Sequence, residues 1–390
     1  MGAAPKLSLR EGLAALPRPV WVLFAGTFLN KFGTFVIPFL SLYLTQRGFS
    51  TAQAGLAIAA YGVGNCLAAG VGGHLADSLG RRRTIVLSML GGAASMLLLS
   101  QARTLPWIVV LVGLAGLAGE FYRPASSALL ADLVPPAQRV TAYSAYRLAF
   151  NAGWAFGPAT AGFLAGHSFF WLFAGDAATS LLFAGVAWVA LPEGVRAPRT
   201  EAGWGPALAV IRRDRRMWRV LGATLAVGVV FQQMASTFSL HVTNLGYSAA
   251  VYGALISSNG VLVVLCELPL TTWSRRFPPR RVMALGYSLV GGGFAVLAGA
   301  HGVPALAAGI AVFTFGEMLA APTASAYVAN LAPPALRGRY SGAVGFANAF
   351  ALMGGPALGL ALVVQHAVWV WLGCGVLGLL AAGLILGGED

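Results

Sequence analysis

Charge is scarce in this 390-residue chain: Asp, Glu, Lys and Arg make up only 9% of it, beside 58% hydrophobic residues. So little charge excludes an ordinary soluble domain. The chain has only three cysteines, Cys66, Cys266 and Cys374; all sit in apolar segments, which excludes a disulfide framework. No Gly-x-x-x-x-Gly-Lys-(Ser/Thr) loop is present, so an ATP site of the usual kind is not expected. His-Glu-x-x-His, Cys-x-x-Cys and Gly-x-Ser-x-Gly are also missing, which leaves no expected catalytic residue, metal ligand or cofactor. The protein is therefore not expected to be an enzyme, and any work it does must draw on an ion gradient or on a substrate's own gradient. The apolar runs lack the period-two alternation of a membrane barrel. The polar first residues lack the pattern of a removable signal peptide, so the first apolar run is expected to serve as an uncleaved signal.

What is abundant is apolar runs of about 20 residues, the length that crosses the hydrocarbon core as a helix. They fall at residues 19–44, 52–74, 84–101, 105–131, 139–166, 168–191, 218–243, 249–273, 281–300, 303–331, 339–365 and 367–387. The expected fold is an all-α membrane protein with twelve transmembrane helices. The formal charge of +13 is distributed unevenly. Lys6, Arg10 and Arg18 precede the first run, and Arg81–Arg83, Arg139, the 196–219 stretch, residues 275–281, Arg337 and Arg339 fill alternate loops. The other loops hold only Arg47 and Arg103. This positive-inside bias predicts a multi-pass protein of the cell membrane with both termini cytoplasmic, and it accounts for the basic charge without a nucleic-acid partner.

The chain is written twice. Residues 119–162 return as 316–359: Pro135-Pro136 matches Pro333-Pro334, Arg139 matches Arg337, and Gly157-Pro158 matches Gly355-Pro356. Gly48, Gly55 and Tyr61 are followed by Gly246, Gly253 and Asn259 at the same 198-residue offset. So long a period marks duplicated six-helix halves with the same orientation, two pseudo-symmetric bundles over residues 1–191 and 218–390. Residues 192–217 form a polar linker, in which 204–216 is a candidate amphipathic helix.

Between the second and third runs stands Gly73-His74-Leu75-Ala76-Asp77-Ser78-Leu79-Gly80-Arg81-Arg82-Arg83. It resembles the signature loop of the major facilitator superfamily, with Ser78 where a basic residue is usual. The resemblance implies twelve-helix transport by alternating access. It also implies a conformational latch of Gly73, Asp77, Gly80, Arg81, Arg82 and Arg83, in which Asp77 meets a cation such as Arg139 and the start of span 11. A tight turn with topology-setting arginines is the alternative. The second half carries no acid at the matching loop, so the latch is expected to be one-sided. Gly153, Gly157, Pro158 and Gly162 resemble the fifth-helix motif of twelve-helix drug/proton antiporters, with Ala161 in place of a glycine. In that family the motif implies export; plain helix packing is the alternative. The arginine such exporters carry early in the fourth helix is absent, Val112 standing near its place.

Charges inside apolar runs are the remaining signal, because a lysine at mid-bilayer costs roughly 2.5–3.5 kcal/mol on insertion scales and so faces the bundle interior or water. Lys31 follows Asn30 in the first run, Glu120 and Arg123 share a face of the fourth, and Tyr143, Arg147, Asn151 and Trp154 form a stripe in the fifth. Glu120, Arg123 and Arg147 are expected at one depth, either as a structural ion group completed by Tyr143 and Asn151 or as a proton- and substrate-binding site. Glu317 is the repeat partner of Glu120 without an arginine on its own helix, which makes it a rival proton site; Lys31 is a candidate partner across the cavity. Gln233, Thr237 and His241 share a face of the seventh run, and with Asn259 they are candidate cavity residues. Asp176 is expected to make local hydrogen bonds, and Glu267 to pair with Arg275 or Arg276.

The expected function is proton-coupled export of small amphipathic molecules, with Glu120 and Glu317 as proton sites. Asn30, Lys31, Arg123, Arg147, Asn151, Gln233, Thr237 and Asn259 are expected to shape the substrate cavity. The expected partners are a small-molecule substrate, protons and the lipid bilayer, and a single copy of the chain is expected to suffice. A transporter of an anionic small molecule or lipid, bound by Lys31, Arg123 and Arg147, is the alternative. A non-transporting membrane sensor is a third.

Overall fold

A computed structural model describes residues 13, 16–135, 138–194, 210–274, 276–333, 336–363 and 366–387. They build twelve spanning segments without strands among the described residues, numbered here as spans in chain order. Span 1 is Arg18–Phe32 with Val36–Gln46, span 2 Thr51–Ser78, span 3 Arg81–Gln101, span 4 Leu105–Glu120 with Tyr122–Leu133, span 5 Arg139–Ala165 and span 6 Phe170–Ala190. Span 7 is Arg215–Ala235 with Thr237–Asn244, span 8 Ala249–Ser274, span 9 Pro279–Ala295, span 10 Val303–Leu331, span 11 Arg337–Val363 and span 12 Ala367–Leu386. Ten pass as membrane spans on length and composition, and the bent pair of span 7, turned by 44°, makes an eleventh. The remaining one, span 5, carries the polar stripe from Tyr143 to Trp154.

The expected amphipathic helix over 204–216 lies largely outside the described residues; 210–213 are helical, and Asp214 caps span 7 by accepting from the Arg216 and Met217 amides at 3.0 and 3.1 Å. Asp214 also accepts from the Tyr340 hydroxyl of span 11 at 3.0 Å.

The repeat survives in the backbone. Gly48 and Gly246, 198 apart, both turn at φ 87°, a left-handed conformation that only glycine adopts without strain. Ser41 and Ser239, another 198-residue pair, meet hydroxyl to hydroxyl at 2.8 Å where spans 1 and 7 face each other. The pseudo-two-fold axis between the halves therefore passes through this contact.

Spans 5 and 8 and spans 2 and 11 form the main seams between the halves. Close backbone approaches join Gly55 to Ala357, Gly62 to Met353, Gly162 to Ala249, Gly253 to Pro158 and Gly260 to Ala155. All lie in the part of each span farther from the end that carries Arg81–Arg83, the basic end. Tyr252 adds a hydroxyl bond to the Pro38 carbonyl at 2.8 Å, and Ser257 accepts from the Ala159 amide at 2.8 Å. Nearer the basic end, Gly70 and Gly73 of span 2 and Gly345 of span 11 face open space. The halves thus close on one side and part toward the basic end.

Candidate functional site

Two broken helices build the charged centre of the first half. Span 1 opens at Gly33–Phe35, just past Lys31, and the buried Asp176 carboxylate lies near the amides of Phe35 and Val36, where the helix resumes. The local role expected of Asp176 takes this form. Span 4 is interrupted at Phe121, three residues before Pro124, which has no amide to offer the Glu120 carbonyl; the matching Pro322 is accommodated inside an unbroken span 10. The breaks bring Lys31 Nζ to 3.1 Å from Glu120 Oε1, with both side chains no more than 10% exposed. Tyr61 Oη donates to the same oxygen at 3.1 Å, and Arg123 Nη1 stands 3.5 Å from Oε2. The Phe150 ring lies under both cations, 5.1 Å from Lys31 Nζ and 5.4 Å from the Arg123 guanidinium. Glu120 is therefore fully partnered, as a buried carboxylate must be.

Glu317 sits at the matching place in span 10 and is held otherwise. Asn259 Nδ2 donates to its Oε2 at 2.8 Å and stands 3.0 Å from Thr314 Oγ1. Among the described residues no cation forms an ion pair with Glu317. The expected bond from Lys31 to Glu317 is not made, because Lys31 is spent on Glu120 in its own half. Arg147 likewise does not join Glu120. Its Nη2 reaches Glu267 Oε1 of span 8 at 2.8 Å, an ion pair across the two halves. For Glu267 the expected partner is Arg275 or Arg276; Arg275 lies outside the described residues, and the pair Glu267 makes is with Arg147 across the seam between spans 5 and 8.

Glu317 lines two adjoining cavities. The larger, about 490 Å³, is mostly apolar, walled by residues such as Val227, Phe231, Tyr287 and Val344 with Gln232 and Asn348 as polar points. The smaller, about 260 Å³, lies between the halves and holds Arg147, Phe150, Asn151, Trp154, Asn259 and Glu267. Arg147, Asn151, Asn259 and Glu317 line these cavities, whereas Arg123 lines neither.

Other candidates face elsewhere. Asn30 donates to Met89 Sδ at 3.5 Å inside the first bundle, away from the cavities. Gln233 is 2% exposed; its Nε2 donates to the Gly355 carbonyl at 2.9 Å and its Oε1 accepts from Thr237 at 2.7 Å. That pair fastens span 7 to span 11, and Gln232, one residue and about 100° around the helix, is the cavity residue. Tyr143 bonds the Ser127 carbonyl at 2.9 Å rather than the charged centre, where Tyr61 takes the place expected of it. His241 accepts from Trp371 Nε1 at 3.3 Å in an aromatic cluster and does not line either cavity. Phe150, Tyr287 and Asn348 line the cavities without standing out in the sequence; Phe150 lies one helical turn from Arg147, the only signal for it.

A family model described as Major Facilitator Superfamily matches residues 23–257 and 234–389. The chain belongs to the major facilitator superfamily. This transporter is 28% identical over 372 residues to the multidrug resistance protein MdtH of Cronobacter sakazakii, covering 90% of each chain. It is 26% identical over 348 residues to a Na(+), Li(+), K(+)/H(+) antiporter of Planococcus maritimus, covering 80% of this chain and 82% of the relative. Its fold matches the crystal structure of a mutant of the nucleoside transporter NupG with a TM-score of 0.78 at 17% identity, over 95% of this chain and 99% of that one.

In this transporter the signature loop turns at Gly80, whose φ of 99° starts span 3. Arg81 donates to the Ala76 carbonyl at 2.6 Å and stands 3.4 Å from Asp132, while Arg82 and Arg83 both pair with Glu193 at the exit of span 6. The three arginines therefore bind acids of their own half. The side chains of Asp77 and Arg139, the other members of the expected latch, lie outside the described residues. The fifth-helix motif packs in two directions. Gly153 and Gly157 admit the span 1 backbone at Phe28–Phe32, beside Lys31, and Pro158 and Gly162 admit span 8 of the other half.

Proposed function

We propose that this protein exports small amphipathic molecules from the cell in exchange for protons, working as a monomer in the cell membrane by alternating access of residues 1–191 against 218–390. The observation that carries the proposal is Glu317: it lines the smaller cavity between the halves and the adjoining chamber of the second half, with an amide as its hydrogen-bond donor and no counter-ion among the described residues. A carboxylate in that position gains or loses a proton as the cavity changes its access to water, whereas Glu120, tied to Lys31, Tyr61 and Arg123, keeps its charge as part of the scaffold. The positive-inside bias puts the basic end, and so the open side, in the cytoplasm, where an exporter loads. The likeness to a multidrug resistance protein supports this direction, as does the resemblance of Gly153–Gly162 to the motif of drug exporters. Asp77 and Arg139 then act as the latch on the cytoplasmic side. The anionic-substrate alternative loses support, because Lys31, Arg123 and Arg147 each already face an acid.

In proteoliposomes carrying a pH gradient, Glu317→Gln is expected to abolish substrate-driven proton flux while the purified variant still binds substrate. Normal proton flux in this variant would sink the assignment. The likeness to a cation/proton antiporter makes Na⁺, Li⁺ and K⁺ the controls: flux driven by those ions alone would favour inorganic cations as the cargo.

A further inference from the structure

The smaller cavity is walled by both halves, and its charges are segregated between them. Span 5 of the first half supplies Arg147, more than half exposed, and spans 8 and 10 of the second half supply Glu267 and Glu317. The Arg147–Glu267 pair, 2.8 Å long and open to the gap, crosses between the halves, whereas the pairs of Lys31, Arg81, Arg82, Arg83 and Arg123 stay within the first. An ion pair lining a cavity is satisfied only while that cavity is empty of a better partner for each charge. A net cation could bond Glu267 or Glu317 but would leave Arg147 exposed beside it, and a net anion would face two acids. A ligand carrying one charge of each sign replaces the pair on both sides: its anionic group takes Arg147, in the geometry a guanidinium gives a carboxylate, and its ammonium takes Glu267. Glu317 stays free for the proton. The adjoining apolar chamber, which shares Glu317 and Ala321 with the smaller cavity, receives the rest of the molecule against Phe231, Tyr287 and Val344.

We infer that the preferred substrate is a zwitterion with an apolar body, bound by splitting the Arg147–Glu267 pair. This deepens the transport assignment above and rests on it. Such a ligand also links substrate to conformation, since it bridges Arg147 of one half and Glu267 of the other through its own length rather than by direct contact.

The test uses matched triplets on purified full-length protein: 2-amino-4-phenylbutanoic acid and homologues of rising apolar bulk, each beside its methyl ester (a cation) and its N-acetyl form (an anion). Binding is read by thermal stabilisation in detergent, which bound ligand raises. The zwitterion is expected to bind at least about tenfold tighter than either derivative in one or more triplets, because each derivative leaves a charged cavity group unmatched. Arg147→Gln is expected to collapse the ratio of zwitterion to ester, and Arg147→Lys to restore part of it, which separates loss of charge recognition from damage to the fold. Equal or better binding of the esters across all triplets, or a ratio untouched by Arg147→Gln, overturns the inference. Proton flux measured on the same ligands keeps the two proposals apart: zwitterion binding without coupled protons defeats the antiport assignment alone, and coupled flux driven by esters alone defeats the zwitterion.

Discussion

Glu120 and Glu317 occupy repeat-related places, and their surroundings differ residue by residue. Each acid accepts a bond from the matching residue of the second span in its half, Tyr61 for Glu120 and Asn259 for Glu317, which are 198 positions apart. Beyond that shared bond the halves part company. Val229 stands where Lys31 does, and Ala321 where Arg123 does. Span 4 breaks beside Glu120, while span 10 runs unbroken past Glu317 from Val303 to Leu331. The first half thus spends two cations and a helix break on fixing one carboxylate, and the second leaves its carboxylate at a cavity wall. The difference teaches that duplication supplied two acids, and that counter-ions decide which of them is free to change charge.

The comparison can be broken most forcefully at Lys31. Lys31→Met leaves Glu120 buried opposite a methionine, and removing one partner of a buried pair costs roughly 3–5 kcal/mol. Thermal unfolding in detergent should show that loss, with Glu317→Gln close to wild type in the same assay; equal losses would erase the distinction between scaffold acid and free acid. Next in size is an attempt to make the second half resemble the first. Ala321 lines both cavities four residues after Glu317, the helix spacing that favours an acid-to-base pair. Ala321→Arg should give Glu317 a counter-ion and cut coupled proton flux by about tenfold or more, one unit of proton affinity being worth a factor of ten. Ala321→Gln, of similar bulk without charge, is expected to lose much less, and parity of the two would assign the effect to bulk. Tyr61→Phe removes a hydrogen bond to a charged group, worth about 1.5–3 kcal/mol, and its cost should appear in stability. Asn259→Ala should instead shift the pH dependence of flux, and a pure stability loss there would contradict it. The smallest effect concerns the closed side. Ser41→Ala removes contacts across the halves to the Ser239 hydroxyl and the Ser236 carbonyl, of the kind that averages about 0.6 kcal/mol each between membrane helices. Spin labels on spans 2 and 11 should report a correspondingly modest shift toward the opposite conformation, and no shift would place the closing force elsewhere along the seams.

The architecture was legible because the bilayer imposes it: runs of about 20 apolar residues have one stable form, and a 198-residue repeat has one simple arrangement. The break near Pro124 was not legible, since the matching Pro322 lies inside an unbroken helix. Pairing was not legible, for a geometric reason. Arg147 was expected beside Glu120 because both lie on adjoining spans at similar depth, yet a helix presents a side chain in one direction, and Arg147 points across the seam to Glu267. Gln233 and Gln232 show the same limit on a smaller scale. Adjacent in sequence and identical in chemistry, they separate into a buried strut and a cavity wall by the turn of one residue. For Lys31 the sequence offered two acids, Glu120 and Glu317, and the packing of the first bundle gives it Glu120.

The hydroxyl contact between Ser41 and Ser239 carries one more consequence. A residue on a two-fold axis touches its own counterpart, so when the two copies were still identical this was one serine meeting itself in a pair of separate six-helix chains. Every substitution there would then have struck both partners at once, with no chance of compensation by the other side. Hydroxyls suit such a spot, since each donates and accepts; here both also reach the Ser236 carbonyl, at 2.9 and 2.8 Å, an acceptor from one half that breaks the symmetry. In a single chain the two positions are free to differ, yet 41 and 239 both hold serine.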